Sequence, residues 1–428
     1  MSDGYRHVVT GNLLSVIGGE MMLRAATLGA AVVIARRYGP EALGLYTAAL
    51  AFATLLTTIA DGGLQVSTVS ELSRRMPRIG GTVTTLYLTK SALLLVAAAL
   101  SIAAAILCRV SSMVWTVTAL ITAKTILYAY GQLQFGILKA IGRMRPIGMI
   151  QSAHCGLLAT ALGVTCWRHW PIVPLLLLMC GAQAVELALS AAVLWLARVR
   201  PSRTRLAECW RMLRVSAPVG VSQMLANLIL RLDVLVVNGL FSATVVGYFA
   251  AANNAVVVMY VCSWLFGSVL LPDLVRHHAD SSARLDSFVR KWARMVCLAT
   301  VPAAIVLAVA SPLLIRTLYG PSFAPAGTPL AIMSLALPLI LMNSLLFNRA
   351  VAMQSRPVYV GAYIVAAIAA LLLNLVCGRA FGVVGVAWAI FAREALQALA
   401  FLLGGRIVSC AASPSSITAV ALPEVASD

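Results

Sequence analysis

Charge is scarce in this chain, and acidic charge is the scarcest. Of its 428 residues only 11% are charged, with 14 Asp and Glu against 32 Lys and Arg. Soluble domains carry about 25% charged residues. Because 61% of the residues are hydrophobic and the mean hydropathy is +0.93, the composition excludes a soluble protein built around a single core.

Several motifs that carry chemistry are also absent. The cysteines form no Cys-x-x-Cys pair and no Cys/His cluster with metal-ligand spacing, so we interpret them as small apolar side chains. No Gly-x-x-x-x-Gly-Lys-Ser/Thr motif for ATP occurs, which leaves an ion gradient, the membrane potential or removal of the product as the driving force. We therefore expect no metal ion, no cofactor and no catalytic residue.

Long apolar runs make up most of the sequence. A segment such as 83–107 exceeds the roughly 20 residues that cross a bilayer. At about 36 residues per crossing and connection, the chain holds about twelve helices. The sequence therefore predicts an all-α, polytopic membrane protein. The predicted spans are 12–35, 42–66, 83–107, 113–138, 147–167, 172–197, 215–240, 244–271, 294–316, 328–351, 357–378 and 381–405.

The basic residues are distributed unevenly between the two predicted sides of the membrane. If the N-terminus is cytoplasmic, most Lys and Arg fall in cytoplasmic segments, as the positive-inside rule requires. Both termini are therefore predicted to be cytoplasmic. The net charge of +18 then reflects topology, and we expect no nucleic-acid partner. The strongest basic run, 198–214, is expected to lie on anionic lipid headgroups.

The N-terminal residues lack the cleavage site of a secretory signal, so the first apolar run is expected to remain as a helix.

An internal repeat divides the chain. Residues 44–49 (Gly-Leu-Tyr-Thr-Ala-Ala) align with residues 247–252 (Gly-Tyr-Phe-Ala-Ala-Ala). Six helices per half keep the two halves in the same orientation. We predict an N-terminal lobe at 1–205 and a C-terminal lobe at 206–428, facing each other across a central cavity suited to alternating access.

A few ionisable residues lie inside predicted spans, where each costs roughly 2.5 to 3.5 kcal/mol on insertion scales. Glu20 and Arg24 are spaced i,i+4 and can form an ion pair. Either the pair only neutralises itself for insertion, or Glu20 holds Arg24 as a fork-shaped donor to a phosphate in the cavity. Lys124 and Arg231 are the other cations predicted to line the cavity.

Other polar residues in the spans have two interpretations each. Asn253 and Asn254 either bind sugars or join helices by hydrogen bonds. Glu186 and Asp233 are candidates for ion coupling, and a hydrogen bond between helices is the alternative for Glu186. Near the helix ends, Lys90 is expected to extend toward the cytoplasmic interface and Asp61 to cap a helix or anchor a loop.

Three segments carry a family resemblance. Residues 35–75 contain a Gly-Pro-Glu turn, Gly-Leu-Tyr, Asp-Gly-Gly-Leu and Glu-Leu-Ser-Arg, and residues 312–338 and 372–394 form later helical connections. These segments resemble the polysaccharide transport family, the flippases for O-antigen and exopolysaccharide repeat units, within the multidrug/oligosaccharidyl-lipid/polysaccharide exporter superfamily. The predicted count is two helices fewer than the fourteen typical of the peptidoglycan-precursor flippase, which counts against that relative. Because many members of the family also have fourteen, the count does not decide the substrate.

The resemblance implies a function in the bacterial inner membrane. Members of the family move an undecaprenyl-pyrophosphate-linked oligosaccharide from the cytoplasmic to the outer leaflet. A polysaccharide polymerase or glycosyltransferases are the partners that such a role implies. In this chain Arg24, Lys124 and Arg231 would supply the charges for the pyrophosphate, an assignment that follows from their depth and chemistry and not from a family motif.

Two other functions stay open at this point. A cation-coupled multidrug exporter of the same fold would need an unpaired carboxylate, for which Glu186 and Asp233 are the candidates. A membrane enzyme acting on lipid-linked sugars would need carboxylates or a histidine near a loop that faces the substrate. Its best candidates lie in a predicted basic loop of about twenty residues between the eighth and ninth spans. They are Asp273, His277, His278 and Asp280.

Overall fold

The computed structural model describes residues 3–61, 64, 79–107, 111–199, 202, 204 and 206–411, and every regular element among them is helical. The Glu-Leu-Ser-Arg segment at 71–74 and residues 200, 201, 203 and 205 of the predicted basic loop lie outside this part of the chain. The helices are α1 (Asp3–Asp61), α2 (Ile79–Leu107), α3 (Ser112–Ala140), α4 (Arg145–Arg168), α5 (Ile172–Leu196), α6 (Leu206–Leu240), α7 (Ala243–Asp280), α8 (Ser282–Tyr319), a 3-10 helix (Pro321–Ala326), α9 (Gly327–Ser334), α10 (Leu337–Ala352) and α11 (Arg356–Ala411).

Two of these helices are sharply kinked. In α1 the break is at Gly39, with φ of 82° and ψ of −177°, immediately before Pro40. A positive φ is accessible to glycine because it has no Cβ, and proline cannot donate the backbone hydrogen bond that would continue the helix. In α11 the break is at Gly382, with φ of 66° and ψ of −150°. Each kink divides its helix into two arms.

The number of membrane crossings follows from these breaks. Among the described residues, eight helices are long and apolar enough to cross a membrane, or nine if the bent pair Pro321–Ser334 and Leu337–Ala352 forms one span. That count takes α1 and α11 as single helices, although each has two arms, and it leaves out α6, which is 35 residues long. The prediction of an all-α membrane protein with about twelve crossings is confirmed.

The predicted tenth span, 328–351, is not one straight helix. It is divided into α9 and α10, which meet at an angle of 43°. Leu335 and Ala336 form the turn between them, and Pro338 lies in the first turn of α10. Proline is tolerated at that position because the first backbone N–H groups of a helix have no partner within the helix.

The helices pack as two groups around a common interface. Helices α1 to α5 pack against one another, and α6 to α11 do the same. The groups meet where α1 contacts α6 and α7, and where the start of α6 contacts α2. The predicted boundary at 205/206 lies immediately before α6.

At two glycines the backbones of the two groups approach each other closely. A Cβ built on Gly44 would lie 1.9 Å from the carbonyl oxygen of Ala243, and one built on Gly247 would lie 1.9 Å from that of Pro40. These are equivalent positions of the predicted repeat, so each half contacts the other through the same position. We call this contact the glycine seam. Only a residue without a side chain allows the two backbones to approach so closely.

Arg36 joins the two groups of helices by hydrogen bonds at the end of the bundle where the glycine seam lies. Its Nε donates to the carbonyl oxygen of Leu318 at 2.7 Å, and its Nη2 donates to that of Thr317. Both carbonyls belong to the last turn of α8, where they have no partner within the helix. A cation at a helix C-terminus also interacts favourably with the helix dipole. The two halves are therefore joined at this end by a polar contact beside the glycine seam.

The predicted loop between the eighth and ninth spans is not present. Helix α7 continues to Asp280, and α8 begins at Ser282. Ser281 alone forms the turn, and its hydroxyl oxygen accepts a hydrogen bond from the backbone N–H of Arg284 at 3.2 Å. The candidate loop residues of the enzyme hypothesis therefore lie on helical turns. The loop prediction was wrong because the apolar pattern ends where the helices leave the membrane, whereas the helices themselves continue.

The glycine seam predicts a specific effect of a single methyl group. We expect Gly44→Ala to lower the stability of the protein in detergent by about 1 to 3 kcal/mol, because the Cβ would overlap the Ala243 carbonyl. Gly29→Ala is the control on the same helix, since a Cβ there meets no atom within 4 Å. Thermal unfolding, monitored by size-exclusion chromatography, gives the unfolding midpoint of each variant. Equal unfolding midpoints for the two variants would contradict the close packing at the glycine seam.

Candidate functional site

The predicted ion pair on α1 is formed. The Nε and Nη2 atoms of Arg24 lie 3.1 and 3.0 Å from Glu20 Oε1. The other carboxylate oxygen, Oε2, accepts a longer hydrogen bond of 3.4 Å from Gln151 on α4. Glu20 is thus held from two helices and fixes the guanidinium beside it. The Arg24 side chain is still 52% exposed, so part of its donor set is available to another group.

Arg231 on α6 lies opposite this pair, across the interface between the two groups of helices. It is within electrostatic range of Arg24, Tyr46 and Tyr128. Tyr128 on α3 is in turn within range of Glu20, Arg24, Glu186 and Arg231. Side chains from α1, α3 and α6 therefore converge around Tyr128. We call Glu20, Arg24, Tyr128 and Arg231 the central cationic site.

The electrostatics of this site favour an anion. Arg24 and Arg231 carry like charges, and the two guanidinium groups repel each other. Glu20 compensates one of them. In the part of the chain that the structure describes, Arg231 has no hydrogen-bond or ion-pair partner. An anionic ligand between the two guanidinium groups would relieve the repulsion and satisfy their donors.

Lys124 lies one helical turn from Tyr128 on α3. It is half-buried and within electrostatic range of Cys180 on α5, whose thiol donates to the carbonyl oxygen of Leu120 at 3.2 Å. Residues four apart on a helix face the same side, about 5 to 6 Å apart at Cβ. No acidic residue pairs with Lys124 among the described residues. Lys124 thus extends the cationic surface along α3.

The two asparagines on α7 differ. Asn254 donates from Nδ2 to the Tyr319 hydroxyl at 3.2 Å, which joins α7 to α8. Asn253 is half-buried, and its side chain makes no hydrogen bond to a residue in the described ranges. None of the described contacts brings either asparagine to Arg24 or Arg231. Asn254 has the geometry of the helix-joining alternative.

Glu186 on α5 is almost completely buried and faces a histidine that the sequence did not single out. His154 Nδ1 on α4 lies 3.0 Å from Glu186 Oε2, and the side chains are 2% and 1% exposed. The same nitrogen lies 3.2 Å from the Ala182 carbonyl oxygen. Within the described residues neither carboxylate oxygen receives a well-directed hydrogen bond. The 3.0 Å approach is thus an electrostatic contact and not an aligned hydrogen bond.

Asp233 belongs to a separate polar network between α6 and α11. Both of its oxygens accept hydrogen bonds from Arg393 Nη1 at 2.8 Å. Asn374 donates to Oδ1 at 2.7 Å. Arg393 also lies 3.2 Å from Glu394 Oε1 and is 1% exposed. Asp233 is therefore engaged by a cation and an amide, unlike Glu186.

Most of the other ionisable residues named in the sequence analysis contact a neighbouring side chain. Lys90 is 3% exposed and pairs with Asp61 on the second arm of α1. The expectation that Lys90 extends toward the interface was wrong, because the half-buried carboxylate of Asp61 lies within its reach. Of the four candidates of the enzyme hypothesis, Asp280 pairs with Arg284 at 3.1 Å, Asp273 contacts Arg276 at 3.7 Å, and His277 packs on Phe288. The described residues contain no group of three or more potential metal ligands.

Comparisons with known proteins give a family and a fold. A family model described as "Polysaccharide biosynthesis protein" matches residues 9–278. A search of the curated proteins found no match.

Solved structures of three transporters superpose on the chain. The lipid II flippase MurJ in an inward closed conformation matches with a TM-score of 0.75 and 15% identity, covering 92% of this chain and 87% of that one. An inward-facing multidrug resistance MATE family transporter of the MOP superfamily matches with a TM-score of 0.73 and 16% identity, covering 95% of this chain and 100% of that one. A MOP superfamily transporter from Pyrococcus furiosus matches with a TM-score of 0.61 and 12% identity, covering 94% of this chain and 96% of that one. Such identities show a shared fold.

The network around Asp233 generates a stability prediction. We expect Asp233→Ala to destabilise the protein by about 3 to 5 kcal/mol, because it removes the main partner of a buried guanidinium. Asp273→Ala is the control, since its contact with Arg276 is exposed and surface pairs contribute little. Thermal unfolding in detergent compares them. Equal midpoints for both variants would mean that the buried pair does not stabilise the fold.

Proposed function

Since the chain belongs to the polysaccharide biosynthesis protein family, we propose that it is a flippase for lipid-linked oligosaccharides. It moves undecaprenyl-pyrophosphate-linked repeat units of O-antigen or exopolysaccharide from the cytoplasmic to the outer leaflet of the bacterial inner membrane. The observation that carries the proposal is the central cationic site, where Arg231 lies opposite the Glu20–Arg24 pair without a described partner. A diphosphate is the part of such a substrate that two guanidinium groups recognise.

The residues of the site have distinct roles in this proposal. Arg24 and Arg231 bind the diphosphate from opposite lobes, and Glu20 positions Arg24. Lys124 provides a further positive charge one turn along α3. Asn253 and Asn254 stay candidates for contacts to sugar hydroxyls, of which Asn253 has the freer amide. The prenyl chain remains in the lipid, so the cavity accommodates only the polar part of the substrate.

Alternating access supplies the movement. The glycine seam and Arg36 close the bundle at the kink of α1, and about 22 Å of helix separates this end from Arg24. With both termini cytoplasmic, the closed end faces outward. Binding of one diphosphate by arginines of both lobes draws the lobes together, and opening of the seam releases the substrate on the other side. Polymerisation of the released units would remove the product, with a polymerase and glycosyltransferases as functional partners.

Energy coupling in this proposal uses Glu186. Of the two candidate carboxylates, Asp233 is bound by Arg393 and Asn374, whereas His154 is the one polar side chain that approaches the Glu186 carboxylate among the described residues. A carboxylate and an imidazole 3.0 Å apart can share one proton and remain neutral as a pair when buried. Tyr128 and Cys155 lie within electrostatic range of Glu186. This pair therefore connects a proton site to the residue at the centre of the cationic site.

A cation-coupled drug exporter is the second candidate function. It is favoured by the buried Glu186, which receives no aligned hydrogen bond from a described residue. The excess of cations around Tyr128 opposes it, because those charges would repel the cationic drugs that such exporters carry.

A deletion strain distinguishes the flippase from the drug exporter. Loss of surface polysaccharide with lipid-linked units retained inside supports the flippase, whereas normal polysaccharide with new sensitivity to cationic drugs supports the exporter.

The central cationic site predicts graded effects of substitution. We expect Arg24→Ala and Arg231→Ala each to lower glycan export roughly 10- to 100-fold, the loss of one charge-assisted hydrogen bond. Lys replacements should retain more activity than Ala, because a point charge still attracts phosphate without the bidentate fork. Surface polysaccharide is quantified at matched protein levels in the membrane. Arg284→Ala, which changes an exposed ion pair, is the control. If Arg24→Ala and Arg231→Ala both export glycan at the full level, neither arginine binds the diphosphate.

The proton site predicts a change in coupling. In proteoliposomes with an imposed pH gradient, we expect Glu186→Gln to abolish the dependence of the initial transport rate on the gradient, because an amide cannot take up the proton. Glu208→Gln on α6 is the control. If Glu186→Gln retains the response of the unsubstituted protein, coupling lies elsewhere.

A further inference from the structure

A cavity lies within the C-terminal group of helices, apart from the central cationic site. Its volume is about 420 Å³, and its walls come from α6, α7, α10 and both arms of α11. This volume falls within the range of small-molecule binding sites. Three amides (Asn343, Asn348 and Gln397) and four aromatic side chains (Tyr260, Trp264, Phe347 and Tyr363) line it. We call it the amide cavity.

Two of these amides are buried without being fully satisfied. Gln397 is only 7% exposed, and its side chain makes no hydrogen bond to any described residue. Asn343 is 6% exposed; its Nδ2 donates to Glu394 Oε2 at 2.8 Å, and its Oδ1 has no partner among the described residues. Buried polar groups in native proteins are normally hydrogen-bonded. The free amide of Gln397 on the cavity wall therefore points to a ligand with hydrogen-bonding groups.

The charge of the amide cavity is opposite to that of the central cationic site. No Lys or Arg is found among the described residues that line it, and the carboxylate among them belongs to Glu394. That carboxylate already accepts from Tyr260 at 2.7 Å and from Asn343, and it contacts Arg393. Because Arg393 lies between Glu394 and Asp233, the formal charge of the three residues together is minus one. This formal charge disfavours a diphosphate but not a neutral polyol.

The position of the cavity relates it to the cationic site. Ile229 on α6 belongs to its wall, and Asp233 on the same side of α6 binds Arg393. Arg231, between them in sequence, lies instead toward Arg24. One helix thus separates a site for anions from a site lined by amides and aromatic rings. A ligand that joins a diphosphate to a neutral sugar carries both chemistries within one molecule.

We propose that the amide cavity binds sugar units of the lipid-linked oligosaccharide, while the central cationic site binds its diphosphate. This inference rests on the proposed function and adds the part of the site that recognises the glycan. The amides and serine hydroxyls bind sugar hydroxyl or acetamido groups, and the aromatic rings pack against the apolar faces of the sugar rings. An organic cation fits less well, because three donors already occupy Glu394.

The test compares two ligands on the purified full-length protein in detergent. The first is the lipid-linked oligosaccharide extracted from a strain that lacks this transporter, and the second is undecaprenyl pyrophosphate without sugar. We expect the unsubstituted protein to bind the first at least tenfold more tightly. In Gln397→Leu this ratio should fall to about one, with unchanged affinity for the sugar-free lipid. Arg231→Ala should weaken the binding of both ligands by the same factor.

Because a substitution at the buried Gln397 can also disturb folding, a second variant tests the cavity at an exposed residue. Trp264 lines the cavity but is 62% exposed, so Trp264→Ala leaves the packed interior intact and should also lower the ratio. Trp195→Ala is its control, because Trp195 is 69% exposed and lies outside the cavity. A ratio unchanged in both Gln397→Leu and Trp264→Ala would overturn the sugar assignment while leaving the flippase intact.

Two further outcomes separate this inference from the proposed function. If the unsubstituted protein binds neither lipid, the proposed function fails, and the sugar assignment fails with it. Tetraphenylphosphonium serves as the probe for organic cations. If it binds to the unsubstituted protein, and Gln397→Leu and Trp264→Ala both abolish its binding while the lipid ratio is unchanged, the cavity is a site for organic cations and the sugar assignment is wrong.

Discussion

The organisation of this protein depends on the cost of placing charge inside a membrane-spanning bundle. A charged side chain at that depth requires a counter-charge, a hydrogen-bonding partner or water. Most charges within the described spans have such a partner. The pairs are Glu20–Arg24, Asp61–Lys90, His154–Glu186 and Asp233–Arg393. Lys124 and Arg231 have no acidic partner among the described residues, and both are cations. The bundle therefore holds positive charge that an anionic ligand can neutralise.

The packing of the helices decides where that positive charge is placed. The kink at Gly39 turns the chain so that the second arm of α1 meets α7 at the glycine seam. The seam is reciprocal, because equivalent residues of the repeat contact each other's backbone. A contact with this symmetry brings α1 and α6 together below it, and Arg24 and Arg231 lie on those two helices. Small residues at one end thus fix the position of charged residues in the interior.

The two lobes use their interiors differently. In the N-terminal lobe Glu186 is buried beside His154, and neither of its carboxylate oxygens receives an aligned hydrogen bond from a described residue. In the C-terminal lobe Arg393 ties Asp233 and Glu394 into a network whose donors and acceptors are largely matched. The first arrangement suits a change of protonation, and the second suits a rigid wall beside a cavity. A transporter that recognises an anion and a neutral glycan needs both chemistries in separate places.

The sequence by itself determined the features that depend on local periodicity and composition. Apolar runs of sufficient length dictate membrane crossings, and the i,i+4 spacing of Glu20 and Arg24 dictates their ion pair, because both follow from the geometry of one helix. The tertiary structure decided which distant residues meet. Asp233 and Arg393 are 160 residues apart, and His154 reaches Glu186 from another helix. Helix ends beyond the membrane, such as the continuation of α7 to Asp280, carry no apolar signal. Such contacts depend on how helices pack, and the amide cavity exists only because five helical segments enclose it.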